Sequence, residues 1–236
     1  MSVAQNIASI HERIAQAARR ANRSPEEITL MAVTKTVAAA RIKEAYNAGI
    51  RVFGENRVQE FTAKAAELHD LQEAQWHLIG HLQSNKSNQA AELFTAIDSL
   101  DSMRLAQRLN SAAHERGKKL ATLLEINIAG EASKHGFSPH SLELRDLLKQ
   151  SAELPHLKIG GLMAVPPFTE DAESVRPHFR QLRQLRDELA KISGMNPGAL
   201  SMGMSHDFEI AIEEGSTCVR VGTAIFGERP GADQHD

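Results

Sequence analysis

Eight short apolar runs, most of them separated by stretches long enough for a helix, constrain this chain more tightly than any other feature of its 236 residues. The first, residues 28–33, has Thr29 as its only polar member and is too brief for an ordinary core helix, so it reads as a strand buried on both faces of a parallel sheet. Comparable runs follow at 51–53, 76–79, 94–97, 120–128, 157–165, 199–202 and 217–221. Several of the segments between them end on glycine where a left-handed C-cap residue belongs: Gly49 after 37–48, Gly117 after 102–116 and Gly215 after 206–214.

Repeated strand–helix units at this length predict an α/β fold, a single (β/α)8 barrel of the TIM type, with an open doubly wound sheet as the alternative. No Pro/Gly/Ser linker or shift in composition divides the chain, so residues 1–236 are expected to form one domain. Ahead of the first run, Ile7, Ile10, Ile14 and Ala17 recur at helical spacing and predict an extra N-terminal helix. Ser24-Pro25-Glu26-Glu27 then reads as a short capped turn.

Composition narrows the partners. With 42% hydrophobic and 24% charged residues the chain has the balance of an ordinary folded protein, and a formal net charge of −3 provides no basic field for nucleic acid or an anionic membrane. The single cysteine, Cys218, has no partner for an internal disulfide, the N-terminus lacks a signal-peptide pattern, and no apolar run is long enough to span a bilayer. These features predict a protein of the reducing cytoplasm.

Chemistry is expected where a barrel gathers the C-terminal ends of its strands. Lys35 ends the first strand, where desolvation lowers an amine's pKa and makes it a nucleophile able to form a Schiff base; a solvated lysine at a strand end is the plainer reading. Ser201-Met202-Gly203-Met204-Ser205 closes the seventh strand, and Gly222 and Thr223 follow the eighth, the two loops that hold phosphate in many barrels. Arg220 alternates inward and requires a partner, either a carboxylate such as Glu125 or Glu55 or the ring nitrogen of a cofactor. Residues 53–60 and 77–86 form polar clusters at further strand ends and face the same mouth. The four-residue spacing of His77 and His81 does not unite them on a strand and loop, so no metal site is assigned, and Lys134 reads as a solvated loop lysine.

With these blocks assembled, the chain resembles the pyridoxal phosphate homeostasis proteins, also described as YggS-like, whose fold is similar to the N-terminal barrel of alanine racemase. Six motifs in one order carry the resemblance: 32–36 (AVTKT), 53–60 (FGENRVQE), 76–86 (WHLIGHLQSNK), 161–164 (GLMA), 200–205 (LSMGMS) and 219–227 (VRVGTAIFG). The resemblance implies pyridoxal 5′-phosphate (PLP) as cofactor, held by Lys35 as a Schiff base. It further implies Arg220 at the pyridine nitrogen, Ser201, Gly222 and Thr223 at the phosphate, and Asn56 and Met204 along the ring pocket. It implies a cofactor carrier or buffer that serves PLP-dependent apoenzymes, with no residue assigned as catalytic.

An arginine at the ring nitrogen keeps that nitrogen unprotonated and weakens the ring as an electron sink. Racemases of this fold take an opposite-face tyrosine from a second domain, whereas this sequence stops soon after Gly227 and its only tyrosine, Tyr46, falls in the helix after the first strand. An exposed mouth without a dimerising domain leads us to expect a monomer. The rival readings are a weak racemase-like enzyme acting on a small amino acid, a cofactor-independent Schiff-base enzyme of phosphorylated substrates, and a protein-interaction module.

Overall fold

The computed structural model describes residues 1–131, 133–167, 169–193 and 198–228. Eight strands, β1 (Thr29–Val33), β2 (Val52–Glu55), β3 (Gln75–Leu78), β4 (Ala96–Leu100), β5 (Leu120–Glu125), β6 (Leu157–Met163), β7 (Ala199–Ser201) and β8 (Cys218–Val221), close in sequence order into one barrel. Every pairing is parallel, and β8 returns to β1 with Thr29 opposite Cys218 and Ala32 opposite Val221. Closure rules out the open doubly wound sheet. Each run read as a strand becomes one, because strands covered on both faces retain apolar side chains at nearly every position.

The helices α1 (Val3–Arg20), α2 (Ala39–Asn47), α3 (Val58–Ala65), α4 (Ser87–Leu93), α5 (Met103–Glu115), α6 (Leu142–Lys149), α7 (Arg176–Ser193), α8 (Phe208–Glu213) and α9 (Thr223–Phe226) surround the barrel. Gly49, Gly117 and Gly215 hold φ of 100°, 61° and 101°, the left-handed conformation expected after α2, α5 and α8.

The extra helix α1 has a structural reason to exist. The last helix of the ring, α9, has only four residues, and α1 packs against both α8 and α9, where it completes the outer layer. Ile7, Ile10, Ile14 and Ala17 are buried on its inner face, Ser2 and Gln5 form a capping box at its start, and Arg13 and Arg20 bond Glu209 and Glu213 at 2.6 and 2.7 Å.

Strand boundaries depart from the sequence reading where polar residues enter the barrel. Strand β2 runs on through Gly54 to Glu55, a fully buried carboxylate, and β4 starts later and includes buried Asp98 and Ser99. Strand β5 stops at Glu125 because the next residues bond the following loop: Phe137 N–H donates to Glu125 O at 2.8 Å and Asn127 N–H to Phe137 O at 3.0 Å.

Candidate functional site

The C-terminal strand ends enclose a cavity of about 340 Å³. Lys35, Asn56, Met204, Arg220, Gly222 and Thr223 line it together, although they come from β1, β2, β7 and β8. Ser201 is placed differently. It is fully buried behind Arg220, and its hydroxyl accepts from Arg220 Nη1 at 2.7 Å. The serine on the cavity wall is Ser205, whose Oγ accepts from the Ala224 N–H at 3.4 Å. Gly203 separates the two serines at φ 94°, and a Cβ there would stand 2.6 Å from that of Ala211, so the turn requires glycine. Asp207 secures the same turn by accepting the Met204 N–H at 2.5 Å.

Lys35 sits between two tethered threonines. Buried Thr34 donates its hydroxyl to Glu55 Oε1, and its carbonyl accepts from Lys64 Nζ at 2.8 Å. Lys64 also pairs with Glu55 at 2.8 Å and Glu60 at 3.2 Å. Burial pushes the Glu55 carboxyl up, against the bonds from Lys64 and Thr34 that pull it down. On the other side, Thr36 adopts φ 61°, a left-handed conformation unfavourable for a β-branched residue, and its N–H donates to Glu60. A residue that holds such a conformation beside a cavity is a mark of local pre-organisation.

Arg220 is 3% exposed and meets neither carboxylate anticipated for it. Glu55 belongs to Lys64, and Glu125 comes near enough only for a long-range attraction. The guanidinium instead bonds carbonyls: Nη1 donates to Ser201 O at 2.6 Å and Nη2 to Ala164 O at 2.8 Å. Together with the bond to Ser201 Oγ this occupies three of its five N–H groups, and the Nε–H and one Nη2–H have no hydrogen-bond partner among the described residues. Burial works against its charge and nearby anionic groups support it.

At the end of β5, burial and the negative charge of Asp101 push the Glu125 carboxyl up to about 7, against the pull of Arg220, and its buried Oε2 has no hydrogen-bond partner among the described residues. The two polar clusters divide. Asn56 and Ile79 reach the cavity, Glu55 and Glu60 brace the flanks of Lys35, and the histidines separate: His77 bonds Asp98 at 3.1 Å and His81 bonds Asp101 at 2.9 Å. Lys134 pairs with Glu131 at 3.2 Å. Ser205, His206 and Val165 are wall residues that the sequence reading passed over; only their positions after strand ends could have indicated them.

Residues 5–230 match the family model of the alanine racemase N-terminal domain. The pyridoxal phosphate homeostasis protein of Escherichia coli K12 is 46% identical over 231 residues, 96% of this chain and 97% of that protein. The one from Aquifex aeolicus is 44% identical over 229 residues, 97% and 99% of the two chains. PipY of Synechococcus elongatus, solved with PLP bound, superposes with a TM-score of 0.83 at 40% identity, over 96% of this chain and all of PipY. Alanine racemase of Clostridium difficile shares the fold at 14% identity, with a TM-score of 0.68, and this chain covers 58% of it. Among the described residues no helix is long and apolar enough to cross a membrane.

Proposed function

Because the chain belongs to the alanine racemase N-terminal domain family, and within it to the pyridoxal phosphate homeostasis proteins, we propose that it binds PLP through Lys35 and keeps the cofactor in supply for PLP-dependent apoenzymes. The observation that carries this reading is the pairing of a braced lysine with a buried guanidinium that has N–H groups to spare, both on the wall of one cavity. When bound, PLP supplies an aldehyde for an amine and a ring that withdraws electrons.

The protein's own groups divide the work of holding it. Lys35 provides the amine, fixed between Thr34 and Thr36. Gly222, Thr223 and Ser205 would receive the phosphate at the cavity wall after β7 and β8. Asn56 and Met204 form the walls beside the ring. Ser201 acts from behind, by holding Arg220, so its expected contact with phosphate becomes support for the arginine. An arginine donor leaves the pyridine nitrogen unprotonated and blunts the ring's electron-withdrawing power, which favours retention over turnover.

Tyr46 gives no help to proton transfer at the mouth. It lies in α2 with the Arg51 guanidinium 4.2 Å from its ring centroid and its hydroxyl 3.4 Å from the Glu73 amide. A weak racemase-like reading draws on one observation, the Glu125 carboxyl near pH 7 at the end of β5.

Visible absorption of wild-type protein and Lys35→Ala, before and after added PLP and then borohydride, tests the assignment. We expect a band in the wild type that reduction fixes to the chain, and none in the variant. Equal spectra from both proteins would overturn the role of Lys35. Turnover of amino acids by the loaded wild type, lost in Glu125→Gln, would favour the racemase-like reading over the carrier.

A further inference from the structure

We propose that His81, Asp101 and His135 form a binding site for a divalent first-row transition ion, with zinc and cobalt as representative occupants. One ligand-capable atom from each of the three lies within 4.8 Å of the other two. They come from the connections after β3, β4 and β5, so barrel closure alone unites them. Two imidazoles and one carboxylate are a borderline donor set, which suits zinc, cobalt, nickel or copper over magnesium or calcium, whose sites are built from oxygen.

The trio is held in place from behind. Asp101 Oδ1 accepts from Ser102 Oγ at 3.1 Å while Oδ2 bonds His81 Nδ1 at 2.9 Å. The loop that carries His135 is tied down on both sides. Asn127 Nδ2 donates to the carbonyls of Glu131 and Lys134 at 2.7 and 3.1 Å, and Gly136, at φ 107°, packs so closely that a Cβ would lie 2.8 Å from Asn127 N. The His81 and His135 rings stack 3.6 Å apart at 9°, and the ring nitrogens of His135 have no hydrogen-bond partner among the described residues.

Metal–ligand bonds of about 2.0–2.2 Å bring ligand atoms to roughly 3.3–3.6 Å from one another. An ion would therefore fan the stacked rings apart and replace the His81–Asp101 hydrogen bond, whose 2.9 Å is already shorter than that separation. An adjoining cavity of about 600 Å³ gives water access to the remaining coordination positions. Arg104 and Lys134 also line it and oppose a cation, although Lys134 is paired with Glu131. This cavity shares no lining residue with the one that holds Lys35, so the ion site stands apart from the proposed cofactor site.

The test is a Co²⁺ titration of untagged, cofactor-free protein, followed by its d–d absorption, with Zn²⁺ equilibrium dialysis for stoichiometry. We expect one ion per chain, and at least a tenfold weaker association in both His135→Ala and Asp101→Asn, each checked by circular dichroism for an unchanged fold. His114→Ala removes a competing histidine pair, His114 Nδ1 to His156 Nε2 at 3.0 Å, and should leave binding intact. Failure to bind at millimolar ion, unchanged affinity in His135→Ala, or loss in His114→Ala would overturn the site.

Discussion

The two ends of the barrel enclose cavities of nearly equal size, about 340 Å³ at the C-terminal mouth and about 320 Å³ toward the N-terminal end, yet their polar groups are arranged in opposite ways. At the mouth, Arg220 has N–H groups to spare among the described residues and Thr36, beside Lys35, holds a left-handed backbone, while Glu125 at the nearby end of β5 has a buried oxygen without a partner among the described residues. Toward the other end His77 and Asp98 are matched to each other and Cys218 is silenced. His77 Nδ1 lies 3.1 and 3.2 Å from the two oxygens of Asp98, and burial, reinforced by Asp98, pushes the Cys218 thiol up to about 12, where it is inert. Only the Thr122 hydroxyl is left there as a buried group without a partner among the described residues. Volume does not separate the two cavities; a buried guanidinium with N–H groups to spare and a left-handed backbone beside Lys35 mark the C-terminal one.

The largest effect that would sharpen this contrast is expected from Glu125→Gln. The folded-state pKa of Glu125 is raised to about 7 from an ordinary 4.5. Below pH 4.5 the carboxyl is neutral in folded and unfolded chains and costs nothing. As pH rises toward 7 the unfolded chain ionises first, so folding carries a penalty that is complete above about pH 7. Two and a half pKa units correspond to roughly 3 kcal/mol at most. Glu125→Gln should therefore be more stable than wild type at pH 8, by up to that amount, and equal to it at pH 4. Urea denaturation at both pH values measures the difference, and a gain independent of pH would dissociate it from ionisation.

Next in size is His77→Ala, which probes the paired end. It would leave Asp98, 1% exposed, without its imidazole. Leaving a buried carboxylate without its hydrogen-bond partner costs about 1–3 kcal/mol, and because the His77 side chain is itself 20% exposed we expect a loss of about 2 kcal/mol. The reducible PLP band should persist at wild-type strength. A variant that keeps its stability but loses the band would reverse the roles assigned to the two ends.

How much of this was readable in advance follows the same division. Apolar runs revealed all eight strands, because strands covered on both faces cannot hide a polar alternation. Polar residues inside the barrel did not read as strand, so Glu55 in β2 and Asp98 in β4 fell outside the expected segments. At the site, strand-end position singled out Lys35, Arg220, Gly222 and Thr223 and the family resemblance added Asn56 and Met204; all six line one cavity. The sequence reading chose Ser201, whereas Ser205 lines the cavity, because the left-handed turn at Gly203 decides which of the two meets it. The carbonyl partners of Arg220 were equally invisible, since a backbone acceptor has no residue identity. His81, Asp101 and His135 span more than fifty positions of sequence and meet only when the barrel closes.

The smallest expected effect tests whether strain at the mouth serves the lysine. Thr36 at φ 61° carries the cost of a β-branched residue in the left-handed region, of order 1 kcal/mol, while its N–H donates to Glu60. Asparagine tolerates that conformation and keeps the N–H, so Thr36→Asn should gain about 1 kcal/mol in stability and raise the melting temperature by a few degrees. If the strain is maintained because it aims Lys35, the relaxed variant should bind PLP more weakly despite its greater stability, as spectroscopic titration would show. Equal gains in stability and in affinity would mean that the conformation at Thr36 is an incidental feature of the β1–α2 connection.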